Sequence, residues 1–137
     1  MYQKNIETLD IPSDIATLIV DDDKIIQRMH TFLLNSAGLS SKPMLFDNGK
    51  DALDFISEQN PSRYLVFLDI NMPIMNGWEF LDSINKSRLK DNLLIVIVSS
   101  SISAADFKKA ESYPQVISFL TKPINIDMLK SLKNAIS

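Results

Sequence analysis

Leu65-Val66-Phe67-Leu68-Asp69-Ile70-Asn71-Met72-Pro73 sets four apolar residues in a row directly against an acid. Such a run reads as a strand buried on both faces, as in a parallel sheet covered by helices. Its terminal aspartate therefore leaves the core at the carboxyl end of the strand. The same pattern recurs along the chain: Leu18-Ile19-Val20 runs into Asp21-Asp22-Asp23, Leu93 to Val98 into Ser99-Ser100-Ser101, and Val116 to Leu120 into Thr121-Lys122-Pro123. In an open parallel sheet the carboxyl ends all face one way, and ligands bind outside them where the strand order reverses. Carboxylates, a hydroxyl and an ammonium are thus expected to meet at one crevice.

Working outward from this strand, Ile15 to Val20 reads as a first strand. Ile25, Met29, Phe32 and Leu33 recur at helical spacing and place a helix over Lys24 to Ala37, closing near Gly38. Lys42 to Phe46 is short, beside Pro43, and suits an edge strand. Asn48 with Asp51 caps a helix burying Ala52, Phe55 and Ile56. After the third strand, Arg63 to Leu68, Asn76 and Glu79 open a helix that turns Trp78, Leu81 and Ile84 toward the sheet. Leu93 to Val98 is followed by Ser103 and Asp106, which cap a helix with Phe107 and Ala110 on its apolar side. Val116 to Leu120 is followed by a last helix carrying Ile126, Leu129, Leu132 and Ile136. This alternation predicts an α/β fold: a (βα)5 doubly wound parallel five-stranded sheet of order 2-1-3-4-5, flavodoxin-like. The switch point then falls between strands one and three, beside Asp21, Asp22 and Asp69. Residues 1–14 read as an N-terminal extension, and 15–137 as a single domain with no output domain attached.

With 137 residues, 45% hydrophobic and 23% charged, the chain suffices for one domain with a real core and is short for two. The absence of cysteine excludes disulfides, thiolate metal sites and thiol nucleophiles. His30, the only histidine, argues against a multi-histidine metal site or a Ser/His/Asp triad, and its place in a helical stretch reads as helix surface. A net charge of −3 is wrong for a DNA-binding surface, and no apolar run reaches membrane-spanning length. A soluble, cytoplasmic protein that binds neither DNA nor membrane is expected.

Gathering Asp21, Asp22 and Asp69 is unfavourable unless a cation joins them, because neighbouring carboxylates raise one another's pKa. All-oxygen ligation without a twelve-residue calcium loop favours a partly hydrated Mg²⁺ or Mn²⁺. A carboxylate beside such an ion is a competent nucleophile toward phosphorus. Ser99 and Lys122 then stabilise charge on the phosphoryl oxygens. Taken singly, Ser99 is an ordinary strand-end serine, Lys122 a surface lysine and the acidic triplet a helix cap. Their joint occurrence at strand ends carries the reading.

Leu18-Ile19-Val20-Asp21-Asp22-Asp23, Phe67-Leu68-Asp69-Ile70-Asn71-Met72-Pro73 with Asn76-Gly77, Val98-Ser99-Ser100 and Thr121-Lys122-Pro123 resemble the receiver domain of bacterial two-component response regulators, of the single-domain chemotaxis-regulator kind. The resemblance covers nearly everything from Ile15 onward. It implies that Asp69 is the phosphoacceptor, with Ser99 and Lys122 as its catalytic partners. It also implies that Asp22, Asp69 and the backbone carbonyl of Asn71 ligate Mg²⁺ while Asp21 acts mainly through water. Phe119 matches an aromatic switch whose ring moves inward on phosphorylation, and Lys122-Pro123 a peptide that is typically cis. The implied partners are a sensor histidine kinase or histidine phosphotransfer protein, and a downstream protein target that reads the face of the fourth helix, fifth strand and last helix. The protein would be a monomer or a phosphorylation-dependent dimer, catalysing only its own phosphorylation and dephosphorylation.

A haloacid-dehalogenase-type phosphatase uses similar groups, but it opens with an Asp-x-Asp nucleophile and ends with its acidic pair, the reverse of the order here. Nucleotide- and flavin-binding folds of the same layer architecture need a glycine-rich phosphate loop, which Gly38, Gly49 and Gly77 are too scattered to form. A pseudo-receiver that binds partners without phosphorylation is disfavoured by the complete acid, hydroxyl and lysine set.

Overall fold

All six residues of the central strand are buried, from Tyr64 to Asp69, so both faces of the sheet must be covered. The computed structural model describes residues 2–3, 15–40, 42–58, 63–87, 91–100 and 103–136. Their order is β1 (Tyr2–Gln3), β2 (Ala16–Val20), α1 (Lys24–Ser36), β3 (Met44–Phe46), α2 (Gly49–Glu58), β4 (Tyr64–Asp69), α3 (Gly77–Asn85), β5 (Leu93–Ser99), α4 (Ala104–Glu111), β6 (Val116–Thr121) and α5 (Ile126–Ile136).

Five of the strands are parallel and lie in the order β3-β2-β4-β5-β6. Counted without β1, this is the expected 2-1-3-4-5. β1 is an addition that the sequence reading did not contain. It runs antiparallel along the outer edge of β6, with Tyr2 opposite Phe119 and Gln3 opposite Ser118.

Successive side chains on a strand point to opposite faces, and here they feed two cores. Val66 and Leu68 join Leu18, Val20 and the helices α2, α3 and α4 through Ala52, Ile56, Phe80, Leu81, Ile84 and Ala110. Leu65 and Phe67 join Ile19, Val96 and Val98 against α1 and α5 through Leu34, Ala37, Leu129 and Leu132. The helices start where their caps stand. Asp23 accepts from the N–H groups of Ile25 (2.9 Å) and Ile26 (3.3 Å). Asn76 and Glu79 form a reciprocal capping box, and the Ser103 hydroxyl accepts from Asp106 N–H (3.0 Å).

Two sequence expectations require correction. Helix α1 forms as expected, but three of the four residues of the apolar stripe that predicted it face outward, Ile25 70% exposed, Met29 45% and Phe32 69%, while Leu33 packs half-buried against the core. The buried stripe is Gln27, His30, Leu34 and Ala37, so His30 is an interior residue, only 3% exposed. In this rotation the Gln27 amide reaches the carbonyls of Asp21 and Phe46 at the ends of two strands. Trp78 packs only at the margin of the core on that face of the sheet. Half-buried, it stacks on Tyr113 at 5.9 Å with Lys109 Nζ 4.8 Å from its ring, joining α3 to α4.

Candidate functional site

The pairing places the chemistry. Val20 lies opposite Leu68, Asp69 opposite Val98 and Ser99 opposite Thr121, so the strands β2, β4, β5 and β6 end almost level. At or just beyond these ends stand Asp21, Asp22, Asp69, Ser99 and Lys122. Asp21, Asp22 and Asp69 offer carboxylate oxygens that all lie within 4.8 Å of one another. Asp21 and Asp69 are buried, whereas Asp22 is exposed toward solvent. Lys122 Nζ stands 2.7 Å from Asp21 Oδ2 and 3.6 Å from Asp69 Oδ2. Ser99 is buried at the end of β5, and its carbonyl accepts from Lys122 N–H (2.9 Å), tying hydroxyl and ammonium to one frame.

The loop after β4 is held close above the acid. Asn71 is exposed, and its N–H donates to Asp69 Oδ1 at 3.4 Å. Gly77 N–H donates to Ile70 O (2.8 Å), and a Cβ on Gly77 would stand 2.7 Å from Asp69 O, so no larger residue fits without moving the loop. Between them Ile74 takes φ +72° in a turn closed by Met75 N–H donating to Pro73 O (2.9 Å). That is a strained conformation for a β-branched residue, and its side chain is exposed. The Lys122-Pro123 peptide is cis. Phe119 is wholly buried with its ring 4.9 Å from that of Phe107 on α4.

Burial pushes the Asp69 carboxyl up to about 6; Lys122 opposes the rise, while Asp21 and Asp22 add to it. With all three acids ionised against one lysine, the cluster keeps two uncompensated negative charges. An all-oxygen donor set of this kind fits a hard divalent ion, and the cluster could hold one.

Three residues that organise this crevice escaped the sequence reading. Gln27 Nε2 donates to the backbone carbonyl of Asp21 (2.7 Å) and to Asp47 Oδ1 (2.9 Å), lacing the end of β2 to the segment after β3. Lys24 donates to the same Asp47 oxygen at 2.6 Å. His30 lies behind the site, where burial lowers its pKa to about 4; Asp21 pulls it up and Lys122 pushes it further down. No sequence signal marked them, since polar residues on a helix read as its solvent face.

Comparison with known proteins agrees with this geometry. The family model of the response regulator receiver domain matches residues 17–134. A protein-glutamate methylesterase/protein-glutamine glutaminase of Bacillus licheniformis is 37% identical over 120 residues, covering 85% of this chain and 32% of that protein. The crystal structure of a two component response regulator from Cytophaga hutchinsonii superposes with a TM-score of 0.77 at 27% identity, covering 88% of this chain and 95% of that one. The Vibrio cholerae chemotaxis protein CheY4 superposes with a TM-score of 0.72 at 26% identity, covering 88% and 98%. Four of the longer curated relatives are spanned over only 15% to 33% of their length, so the match concerns one module of those proteins. Among the described residues no helix is long and apolar enough to cross a membrane. Strand order, the acidic cluster with its lysine, and a family match running from β2 into α5 converge: this chain belongs to the response regulator receiver family, whose members are phosphoacceptor signalling domains of two-component systems and not classical enzymes.

Proposed function

We propose that Asp69 is the phosphoacceptor, taking a phosphoryl group from a phosphohistidine on a kinase or phosphotransfer partner. One observation carries the reading: a buried carboxylate at the end of the central strand, with a lysine and two further carboxylates around it. An Asp69 carboxylate oxygen forms the bond to phosphorus while the bond from phosphorus to the donor imidazole nitrogen breaks. The electron pair returns to that nitrogen, which is protonated from solvent. Lys122, 2.7 Å from Asp21 Oδ2 and 3.6 Å from Asp69 Oδ2, would release Asp21 and follow the charge on the phosphoryl oxygens, and the Ser99 hydroxyl would supply a further donor. Asp22, Asp69 and the Asn71 carbonyl would hold Mg²⁺ or Mn²⁺, with Asp21 acting through water; the ion supplies charge neutralisation between acceptor and phosphoryl oxygens.

The donor is read as a protein that seats on the outward stripe of α1. Ile25 lies two residues beyond the Asp23 cap, and Met29 and Phe32 continue from it. An open crevice of about 590 Å³ next to the stripe is lined by Met29, Phe32, Ile124 and Ile126, with Arg28 at its side. An apolar face contiguous with an acidic crevice suits a partner that must deliver one histidine to one oxygen. On the output side, Phe119 is already wholly buried, so the inward swing implied by the resemblance has no outer position to start from; its Phe107 contact is read as the link from β6 to α4, with Pro123 at the hinge into α5. The α4-β6-α5 face is then the surface a downstream protein reads, in a cytoplasmic setting.

Intact-mass spectrometry with acetyl phosphate and Mg²⁺ tests the acceptor. One metal-dependent phosphoryl adduct is expected in the wild type and none in Asp69→Asn. An adduct of full yield in Asp69→Asn would place the acceptor elsewhere.

A further inference from the structure

Ile74 is the one non-glycine residue with positive φ among the described residues, and at 75% exposure it carries the most exposed of their large apolar side chains. Neither property serves the fold, since a β-branched residue resists the left-handed region and an exposed isoleucine gains little from burial. With φ +72° and Met75 N–H donating to Pro73 O at 2.9 Å, Ile74 is the centre of a three-residue turn of the rare, strained hand. The frame around this turn keeps it from relaxing. Gly49, the first residue of α2, donates to Met75 O at 3.2 Å, and Gly77, the first of α3, donates to Ile70 O at 2.8 Å. A Cβ on Gly49 would stand 2.8 Å from Met75 O and one on Gly77 2.7 Å from Asp69 O, so both helix starts press directly on the loop backbone.

One bond of the frame bears on the acceptor. The Ile70 carbonyl and the Asn71 N–H belong to a single planar peptide. Gly77 holds its oxygen at 2.8 Å, and its N–H donates to Asp69 Oδ1 at 3.4 Å. We infer that Ile74 is a positioning residue for Asp69: its strain favours release of the turn from Gly49 and Gly77, and only the closed turn presents the Ile70–Asn71 peptide firmly to the acceptor. Opening breaks two backbone bonds and relieves the turn; closing restores both bonds and the strain. Ile74 thus lowers the closed fraction, and whatever binds the closed loop alone is weakened in proportion. An ion held by the Asn71 carbonyl is such a case. The ligand role of Asn71 rests on the function proposed above, whereas the opening of the turn does not.

The test compares wild type with Ile74→Asn and Ile74→Gly, which accept positive φ, and with Ile74→Val, which keeps the branched strain. Amide exchange at Gly49 and Gly77 follows opening directly, with no metal or phosphoryl donor present. It should slow by about threefold to tenfold in Ile74→Asn and Ile74→Gly and keep the wild-type rate in Ile74→Val. The Mg²⁺ concentration at half-saturation, followed by calorimetry, should fall by about threefold in the two relaxed variants, while labelling by acetyl phosphate at saturating Mg²⁺ proceeds at the wild-type rate. Exchange unchanged in both relaxed variants, or slowed with no change in the Mg²⁺ midpoint, would overturn the inference, as would Ile74→Val behaving like Ile74→Asn. Slower exchange and a lower Mg²⁺ midpoint in a protein that acetyl phosphate never labels would uphold it and reject Asp69 as the acceptor instead.

Discussion

The carboxyl end of the sheet and the outer face of α1 are neighbours with opposite logic. At the sheet end, charged and polar side chains are buried: Asp21, Asp69 and Ser99 are each under 7% exposed. On α1 the large apolar side chains Ile25, Met29 and Phe32 face solvent, while Gln27 and His30 are interior. Ordinary folding would exchange these positions, because burying polar groups costs free energy and exposing apolar ones forgoes it. The inversion is consistent with a surface that has two tasks, one chemical and one of recognition, and it separates them onto different residues.

The contrast breaks most directly when those tasks are split. Phe32→Glu on the outer face is expected to slow phosphoryl transfer from a phosphohistidine protein by about tenfold to thirtyfold, as for loss of an interface anchor worth roughly 1.4–2 kcal/mol. Labelling by acetyl phosphate, which needs no docking face, should be unchanged. Parallel single-turnover assays with the two donors measure this directly. Equal slowing with both would mean that the α1 face supports the site itself and is no separate recognition surface.

The acidic end should show its cost in metal-free stability. Asp69 titrates near 3.8 when unfolded and about 6 when folded. The folded state therefore holds the proton more tightly: stability is fully present below 3.8 and is lost as pH rises through 6. At roughly 1.4 kcal/mol per unit the loss above pH 7 is on the order of 3 kcal/mol. Asp69→Asn keeps the neutral form at all pH. Without metal it should melt several degrees above wild type at pH 7.5 and converge with it near pH 4. Millimolar Mg²⁺ should raise the wild type and leave the variant nearly unmoved. A variant less stable than wild type at pH 7.5 would show that the Lys122 contact outweighs the repulsion.

These contrasts also explain what could be read from the residues alone. Along a strand, direction follows from alternation and the end of the apolar run, so Asp69, Asp21, Ser99 and Lys122 could be placed together before any coordinates. Capping at Asn76 was equally legible, because it is local chemistry. The rotation of α1 was not. Ile25, Met29 and Phe32 repeat as a core stripe should, and the competing stripe of Gln27, His30, Leu34 and Ala37 is half polar. What distinguishes it is a distant contact: Gln27 Nε2 donates to the Asp21 carbonyl beyond β2 and also reaches Phe46 O at 3.4 Å, an oxygen already bonded to Asp21 N–H. Pairing of Tyr2 and Gln3 with β6 is a contact between opposite ends of the chain, which no local pattern announces.

His30 gives the comparison a pH axis of opposite sign. Its pKa falls from 6.5 unfolded to about 4 folded, chiefly by burial; Asp21 draws it up and Lys122 presses it down. Its contribution is therefore present above 6.5 and lost as pH falls toward 4. Between pH 7 and pH 5 this loss is on the order of 2 kcal/mol, offset in part by the protonation of Asp69. His30→Gln in an Asp69→Asn background should flatten the acid limb seen in Asp69→Asn alone. An unchanged limb would mean that His30 charges in place without strain.

A last contrast isolates the two faces on a single oxygen. Asp47 Oδ1 accepts from Lys24 Nζ at 2.6 Å and from Gln27 Nε2 at 2.9 Å. By distance and charge the lysine is the stronger contact, and a count of ion pairs would rank it first. Its side chain is 69% exposed and that of Asp47 50%, so water and salt screen the pair, and Lys24→Ala should cost about 0.5 kcal/mol or less, vanishing in high salt. Gln27 is buried, and removing its amide takes away the 2.7 Å donor of the buried Asp21 carbonyl. Gln27→Ala should therefore cost about 1–3 kcal/mol, independent of salt. Because that carbonyl belongs to a residue of the acidic cluster, the Gln27 variant should also bind Mg²⁺ more weakly, while the Lys24 variant should not. Urea melts at low and high salt, with Mg²⁺ titrations of both variants, order the two effects; a larger loss for Lys24→Ala would reverse the ranking and assign the stability of this corner to charge in place of burial.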